Sequence, residues 1–446
     1  MKTQNVMRFK NILLVLLVLM VSMGLVITYM AQSQAYTIPP IPNVSGPITG
    51  PGPIYPGLSE TLTTGTAPED FGYITQEYFV SGTANEQPYA IRILVRRPEL
   101  IQKFSGIVVS ECMHSNGTSV TLGPMRVSVM VRGHIHVEMA AQVGNVNTLN
   151  SFNPDRYGTL TVPNGQTSEI IAQVGTLIKS NPVGGPLAPL FARKLILQGT
   201  SQSSNVLRSY QNLHFLYRMP DASAIFDGYF ATSTLGPAPM MVVDVPTVQM
   251  PTQTEVRSAA LSYGEIPYRR PDSDALENPF RIYEVAGMPH ANTRDRASYV
   301  PNPCDLPISD FPWGAMAAMG LNHLVDWIDS GTIPPHAPYI ETDGNNLKLD
   351  SFGNVLGGVR NTYVDFPVAQ YGVPNANGFT CSIAGYRLIL PKETLDSLYK
   401  NRGQYISVVN QRLNELIRKG WFLKEYADIV RSDSQEVSKT LIKPQK

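Results

Sequence analysis

Short apolar segments that alternate with helical ones constrain the fold of this chain more than any other feature. Residues 194–198 form a compact apolar run, and residues 204–217 follow with apolar side chains at helical spacing. The same order recurs along the chain, with apolar runs at 225–234, 246–253 and 279–287. This alternation predicts an α/β fold with a mostly parallel sheet that is covered on both faces.

The pattern also suggests where the globular part begins and ends. Residues 36–58 are dense in proline and glycine and have no helical period, so we predict an extended linker there. We expect the core at residues 59–334, because the strand and helix alternation stops after Pro334. Helical patterns return between about residues 392 and 432, and we interpret residues 335–446 as an extension packed on the core.

The N-terminus has the pattern of an export signal. Lys2, Arg8 and Lys10 precede an uninterrupted apolar run at residues 12–30, and small residues follow it. Residues 1–35 are therefore a cleaved signal peptide or an uncleaved anchor, in which case residues 12–30 contact the membrane. Both alternatives place the rest of the chain outside the cytoplasm, in the periplasm, in the extracellular space or anchored at the membrane.

Composition excludes some classes of protein. The chain of 446 residues is 43% hydrophobic and can bury a large core. Its 35 basic and 35 acidic residues cancel, so we expect no nucleic-acid partner. The three cysteines are too few for a disulfide scaffold, although Cys304 and Cys381 can pair in an oxidising compartment.

The segment at residues 194–210 has the pattern of a nucleophile elbow. An apolar strand leads through Gly199 into Ser201, and a helical pattern follows directly. In such a turn the nucleophile has a strained backbone, and the residues two before and two after it must be small. Gly199 and Ser203 satisfy this rule, so Ser201 is the predicted nucleophile. Ser203 is the less favoured register, and a serine-rich helix N-cap is the structural alternative.

A serine nucleophile needs a base, and His290 is the predicted one because it follows an apolar run in a glycine-containing loop. The acid of such a triad lies between nucleophile and histidine in chain order. Glu255 follows a β-rich run there and is the predicted acid, in a loop past the strand end. Asp244 is its rival, although it lies before or within the strand.

Stabilisation of an oxyanion requires two backbone N–H donors. One is expected at Gln202, directly after the nucleophile, and the other near Met113 and His114, after an earlier strand. Glu111 is either an organiser of this loop or an ordinary strand end. His134 and His136 share one strand face, but no third ligand has a diagnostic spacing, so we expect no metal and no organic cofactor.

Beyond the elbow, several blocks resemble a largely bacterial family of α/β-hydrolase domain proteins of mostly unassigned substrate. The blocks are the GxSQS elbow at residues 199–203 and the segments SECMHSNG, GHIHVEMAAQVGNVNTLNSFNPDRYGTL, EVAGMPH and GNVLGGVRNTYVDFPVAQY. The resemblance implies an α/β-hydrolase fold with Ser201 as nucleophile and His290 as base. The family pattern also has an acidic residue at the position of Glu255. Ser204 and His114 depart from the family pattern. These departures concern the shape of the pocket, and hence the substrate, more than the class of reaction.

These residues predict a serine hydrolase that cleaves a carboxylic ester through an acyl-enzyme, on a small-molecule or lipid-like substrate. A catalytically silent binding or scaffold protein on the same fold is the alternative from another class. Acyl transfer, or cleavage of an amide or lactone, would use the same residues.

Overall fold

The computed structural model describes residues 36–58, 65–234, 236–296 and 304–443, and its centre is a nine-stranded sheet. The strand order is β1-β2-β3-β5-β4-β6-β7-β8-β9. The strands are β1 (Asn43–Ser45), β2 (Tyr73–Ala84), β3 (Gln87–Pro98), β4 (Ile107–Cys112), β5 (Ile135–Met139), β6 (Lys194–Thr200), β7 (Gly228–Thr232), β8 (Thr247–Met250) and β9 (Phe280–Ile282). Strands β4 to β9 are mutually parallel, and β1 to β3 form an antiparallel edge. The predicted fold class is confirmed.

Helices cover both faces of this sheet, because the apolar residues of its strands alternate between two large hydrophobic clusters. Val108 belongs to one cluster and its neighbour Val109 to the other. The helices are α1 (Leu122–Val131), α2 (Val143–Phe152), α3 (Pro154–Tyr157), α4 (Thr167–Ser180), α5 (Gln202–Gln211), α6 (Gln253–Tyr263), α7 (Thr293–Arg296), α8 (Trp313–Ser330), α9 (Thr362–Asp365), α10 (Phe379–Ile383), α11 (Lys392–Leu398), α12 (Arg402–Arg418) and α13 (Ala427–Leu441). Helices α4, α5 and α6 pack on the first face, and α1 and α8 on the second.

The C-terminal part of the chain packs on the second face. Buried side chains of α12 and α13, among them Leu413 and Val430, share one hydrophobic cluster with α1 and α8. Two small antiparallel hairpins lie in this part, β10 (Thr342–Asp343) with β11 (Asn346–Leu347) and β12 (Ala369–Gly372) with β13 (Tyr386–Ile389). A disulfide joins Cys304 to Cys381, whereas Cys112 is buried and forms no disulfide.

The prediction of a linker at residues 36–58 is wrong for most of that segment. Its backbone is extended, but β1 pairs with β2, and residues 46–58, here called the N-terminal strap, cover buried arginines. Arg92 donates to the Tyr55 carbonyl at 2.7 Å and Arg96 to the Pro56 carbonyl at 2.6 Å. Arg156 donates to the Gly52 carbonyl at 2.9 Å. Buried guanidinium groups must have hydrogen-bond acceptors. The strap supplies them, because its backbone carbonyls are not used in a β-ladder.

The buried arginines are also paired with buried carboxylates. Arg92 forms a salt bridge with Glu138, and Arg156 forms one with Glu77 at 2.7 Å, all with side chains that are at most 1% exposed. Removal of one partner from such a network leaves an uncompensated buried charge. The strap therefore completes the electrostatic balance of this edge of the core.

No helix within the described ranges combines the length and the apolar character that are needed to cross a bilayer. The predicted signal or anchor at residues 1–35 lies outside the described residues.

Candidate active site

Ser201 occupies a strained turn between β6 and α5. Its backbone angles are φ 57° and ψ −119°, a region that residues with a Cβ rarely adopt. The steric rule of the elbow is visible at Gly199, where an added Cβ would lie 2.5 Å from the Ser203 carbonyl oxygen. Glycine is therefore required at this position, because strand and helix approach each other too closely for a side chain.

Ser203 has a different role from Ser201 because its hydroxyl is part of the turn. Its Oγ accepts a hydrogen bond from the Thr200 N–H at 2.9 Å and donates one to the Thr200 carbonyl at 2.9 Å. The side chain is 1% exposed, whereas Ser201 is partly exposed. Ser203 thus closes the turn with its hydroxyl, whereas Ser201 has the positive φ of the strained position.

The structure brings Glu255 and His290 together. Nδ1 of His290 lies 2.6 Å from Oε1 of Glu255, and both side chains are buried. The His290 backbone N–H donates to Oγ1 of Thr254 at 3.0 Å, which fixes the loop after β9 against the start of α6. A carboxylate in this position holds the imidazole in one orientation and stabilises its positive charge.

Glu255 lies in the first turn of α6, so its predicted position in a loop is wrong. The local sequence TQTE forms a capping box, in which Oε2 of Glu255 accepts the Thr252 N–H at 2.7 Å and the Thr252 hydroxyl at 2.6 Å. One carboxylate oxygen thus starts the helix, and the other contacts His290. The helix start explains why the glutamate is rigidly placed.

Asp244, the rival acid, belongs to another cluster. It precedes β8, at the opposite end of that strand from Glu255. Its Oδ1 lies 2.5 Å from Nε2 of His214, and its Oδ2 accepts from Arg218 at 2.9 Å. Partial burial alone would raise the pKa of Asp244, but the hydrogen bonds from His214 and Arg218 outweigh burial and lower the pKa to about 2.

Ser201, Glu255 and His290 follow the carboxyl ends of three strands, β6, β8 and β9. The intervening strand β7 connects them through backbone hydrogen bonds. The Ser201 N–H donates to the Thr232 carbonyl at 3.1 Å, and the Ser233 N–H donates to the Met250 carbonyl at 3.0 Å. In open parallel sheets, ligands bind outside this edge. The three residues therefore lie along one edge of the sheet.

The prediction that Met113 and His114 supply an oxyanion donor is wrong, because both N–H groups already have acceptors. The Met113 N–H donates to the Met139 carbonyl at 2.8 Å, and the His114 N–H donates to the Thr118 carbonyl at 3.0 Å. The N–H of Gln202, at the start of α5, has no acceptor among the residues that the structure describes. Gln202 remains the candidate donor, at the positive end of the helix dipole.

A polar network that the sequence did not reveal surrounds this side of the site. Nε2 of Gln202 donates to Oε1 of Gln142 at 2.6 Å, and Nε2 of Gln142 donates to the Met113 carbonyl at 2.9 Å. The Ser115 N–H donates to Oε1 of Gln202 at 3.1 Å. The only sequence signal for Gln142 was its place just after β5, next to the loop that follows β4. The network fixes that loop to the residue after Ser201.

Glu111 is the organiser of a helix start. Its Oε2 accepts the Leu122 N–H at 3.1 Å and Nε2 of Gln198 at 2.9 Å, and the residue is 1% exposed. Next to it, burial raises the pKa of the Cys112 thiol to about 12, so the thiol stays protonated at neutral pH.

His134 and His136 have separate partners. Nδ1 of His134 lies 2.7 Å from Oγ of Ser105, and Nδ1 of His136 lies 3.1 Å from Nη1 of Arg96. In the described part of the chain, no group of three or more His, Cys, Asp or Glu residues could hold a metal ion.

The parallel sheet, the strained serine between β6 and α5, and the glutamate and histidine that follow later strands define an α/β-hydrolase fold. Residues 44–431 match the family model described as "alpha/beta hydrolase domain", and the chain belongs to that family. The resemblance of the motifs is thereby confirmed at the level of the family.

The solved structures to which this chain is similar are distant. Esterase Est22 is 10% identical over 41% of this chain and 65% of its own, with a TM-score of 0.29. Brefeldin A esterase, a bacterial homologue of human hormone-sensitive lipase, is 13% identical over 40% of this chain and 43% of its own, with a TM-score of 0.27. Dienelactone hydrolase from Anabaena variabilis is 12% identical over 40% of this chain and 74% of its own, with a TM-score of 0.26.

The chain spans slightly less than two thirds of the length of Est22. The comparison with curated proteins gave no match.

Proposed function

We propose that this protein is a serine hydrolase that cleaves a carboxylic ester, with Ser201 as nucleophile, His290 as base and Glu255 as acid. The observation that carries the proposal is the 2.6 Å contact between Nδ1 of His290 and the buried carboxylate of Glu255, at the sheet edge that also holds the strained serine. A buried imidazole and carboxylate beside an elbow serine are the groups that acyl transfer needs.

The chemistry proceeds in two stages. With its Nδ1–H donated to Glu255, the imidazole of His290 has its lone pair on Nε2, which takes the proton as Oγ of Ser201 attacks the ester carbonyl. The Gln202 N–H stabilises the oxyanion. His290 then gives the proton to the departing alcohol. In the second stage His290 takes a proton from water as the water attacks the acyl-enzyme, and it gives that proton to Oγ of Ser201 as the acyl bond breaks and the acid leaves.

Membership of the alpha/beta hydrolase domain family supports hydrolysis as the reaction class. The proposed substrates are small-molecule or lipid-like esters, and the same residues would also serve in lactone or amide cleavage or in acyl transfer.

The test is to assay a protein of residues 36–446 on a panel of p-nitrophenyl esters of increasing acyl length. We expect the wild type to hydrolyse at least one of these esters and the variant Ser201→Ala to hydrolyse none. Inactivity of the folded protein on esters, lactones and amides would contradict the proposal and favour a silent binding protein.

We also propose that the protein is exported, either into the periplasm or the extracellular space or with its catalytic part anchored outside the cytoplasm. The basic residues and apolar run within residues 1–35 support this. The disulfide between Cys304 and Cys381 supports it independently, because disulfides persist in oxidising compartments.

A further inference from the structure

The chain directly after His290 is bound by the C-terminal part of the protein. The Ala291 N–H donates to the Ile383 carbonyl at 3.1 Å, and the Ala291 carbonyl accepts the Gly385 N–H at 3.2 Å. Two residues later, the Thr293 N–H donates to the Ser309 carbonyl at 2.9 Å. The backbone of this segment is thus held by Ile383 and Gly385, which lie far along the chain, and by the nearer Ser309.

Gly385 also contacts the residue directly before the histidine. A Cβ added at Gly385 would lie 2.5 Å from Cβ of Pro289, which leaves no room for a side chain. The Gly385 carbonyl accepts the Ser309 N–H at 2.9 Å. His290 is therefore flanked on both sides by contacts with one glycine and its neighbours.

The segments that make these contacts are linked covalently. Residues 304–309 and 381–386, here called the clamp, are joined by the Cys304–Cys381 disulfide, with Cα atoms 5.8 Å apart. The buried side chain of Asn375 ties both segments together, because it accepts the Leu306 N–H at 2.9 Å and donates to the carbonyls of Leu306 at 2.9 Å and Gly385 at 3.2 Å.

Apolar packing at this place is slight. Among the described residues, Ala291 and Ala384 form a small hydrophobic cluster of their own, with only Cys304, Ile308 and Ile383 packed against them. So small a cluster buries little apolar surface, and hydrophobic stabilisation is proportional to that surface. A disulfide restricts the unfolded chain and stabilises the folded one, so this bond adds stability at a place where apolar packing is slight.

We propose that the disulfide clamp is a positioning device that holds His290 against Glu255, so that reduction of Cys304–Cys381 lowers turnover. The inference rests on the proposed function, since it assigns regulation to the same site. Dithiothreitol would supply two electrons and two protons, which convert the disulfide into two thiols while the reagent closes to its own cyclic disulfide. Both cysteines are partly exposed, so the reagent can reach them.

The first experiment compares the oxidised protein, the dithiothreitol-reduced protein and the double variant Cys304→Ser/Cys381→Ser. We expect kcat to fall about ten- to a hundredfold on reduction with KM unchanged, because a small displacement of a catalytic group has effects of this size. Reoxidation should restore kcat, and the double variant should be slow and insensitive to dithiothreitol. An unchanged kcat with the bond shown by mass spectrometry to be broken would overturn the proposal.

The second experiment does not depend on activity. Hydrogen exchange of the peptide at residues 286–296 should become faster on reduction, because the N–H groups of Ala291 and Thr293 lose their ordered acceptors. Unchanged exchange would overturn the clamp even if the protein hydrolyses esters. Absence of ester turnover in the oxidised protein, together with faster exchange on reduction, would instead overturn the proposed function and leave the clamp supported.

A third experiment covers the case in which the reduced protein unfolds at the assay temperature. Gly385→Ala keeps the disulfide but displaces Pro289, so kcat should fall while KM and the disulfide are retained. Gly123→Ala is the matched control, because an added Cβ there meets nothing within 4 Å, and its kcat should equal that of the wild type. Equal kcat for both variants would contradict the positioning role.

Discussion

Glu255 divides its carboxylate between a helix and His290: Oε2 closes the capping box of α6, and Oε1 lies 2.6 Å from Nδ1 of the histidine. The start of the helix therefore also fixes the position of the proposed acid. A residue that serves both purposes has one allowed orientation, which fixes the imidazole next to it.

This division predicts the effect of Glu255→Gln. A glutamine also supports a capping box, so α6 should form normally. Its single acceptor oxygen is then used by Thr252, and its NH₂ group faces Nδ1 of His290, which favours the wrong tautomer. We expect kcat to drop by about two to four orders of magnitude with a small change in KM, measured on p-nitrophenyl esters.

Asp244→Asn is the matched control for that variant. It removes a carboxylate that also contacts a histidine, together with an arginine, at the other end of β8. Its kcat should stay near wild type at a temperature at which the variant is fully folded. Its cost should appear instead in the free energy of unfolding, since the carboxylate with a pKa of about 2 stabilises the fold above the usual pKa and loses this effect as the pH falls toward 2. Loss of turnover in Asp244→Asn alone would mean that the acid is misassigned.

The two serines of the elbow should respond differently to a fluorophosphonate probe. Ser201→Ala should abolish labelling, because the strained serine lies at the same edge of the sheet as the histidine and next to the Gln202 N–H. Labelling is measured by intact mass spectrometry. Ser203→Ala should keep labelling but lower the free energy of unfolding by about 1–2 kcal/mol, since its hydroxyl bonds both polar groups of Thr200. Labelling lost in Ser203→Ala and kept in Ser201→Ala would move the nucleophile by two residues.

We expect the N-terminal strap to contribute to the stability of the fold. Gly57 has φ +68°, and an added Cβ would lie 2.3 Å from Oε2 of Glu138, inside the buried ion network. Gly57→Ala should therefore lower the free energy of unfolding by about 3 kcal/mol or more, measured by urea denaturation. Gly65→Ala is the control: its φ is +76° with nothing within 4 Å of the Cβ, so it should cost only the backbone strain of about 1–2 kcal/mol. Equal costs would show that the strap packs loosely.

Cell fractionation tests the proposed export. We expect the full-length protein outside the cytoplasm, and a mature N-terminus at Tyr36 would distinguish cleavage from anchoring. Recovery of most of the protein from the soluble cytoplasm would contradict the proposal.

The sequence by itself determined the features whose physical causes are local. The elbow depends on a steric rule among residues 199–203, and the alternation of strands and helices depends on side-chain periodicity within each segment, so both were readable before the fold was known. The order of the serine, acid and histidine along the chain likewise restricted the candidates to a few residues.

Tertiary structure decided everything that depends on distant partners. Glu255 and Asp244 are close in sequence but lie at opposite ends of β8, so only the fold separates the residue that contacts His290 from the one that contacts His214. The N–H of Met113 was unavailable because β4 and β5 bring the Met139 carbonyl to it. The proline-rich strap was mistaken for a linker because its carbonyls bind arginines such as Arg156, about a hundred residues further along the chain. Hydrogen bonds between such distant segments leave no local pattern in the sequence, and only the packed chain shows them.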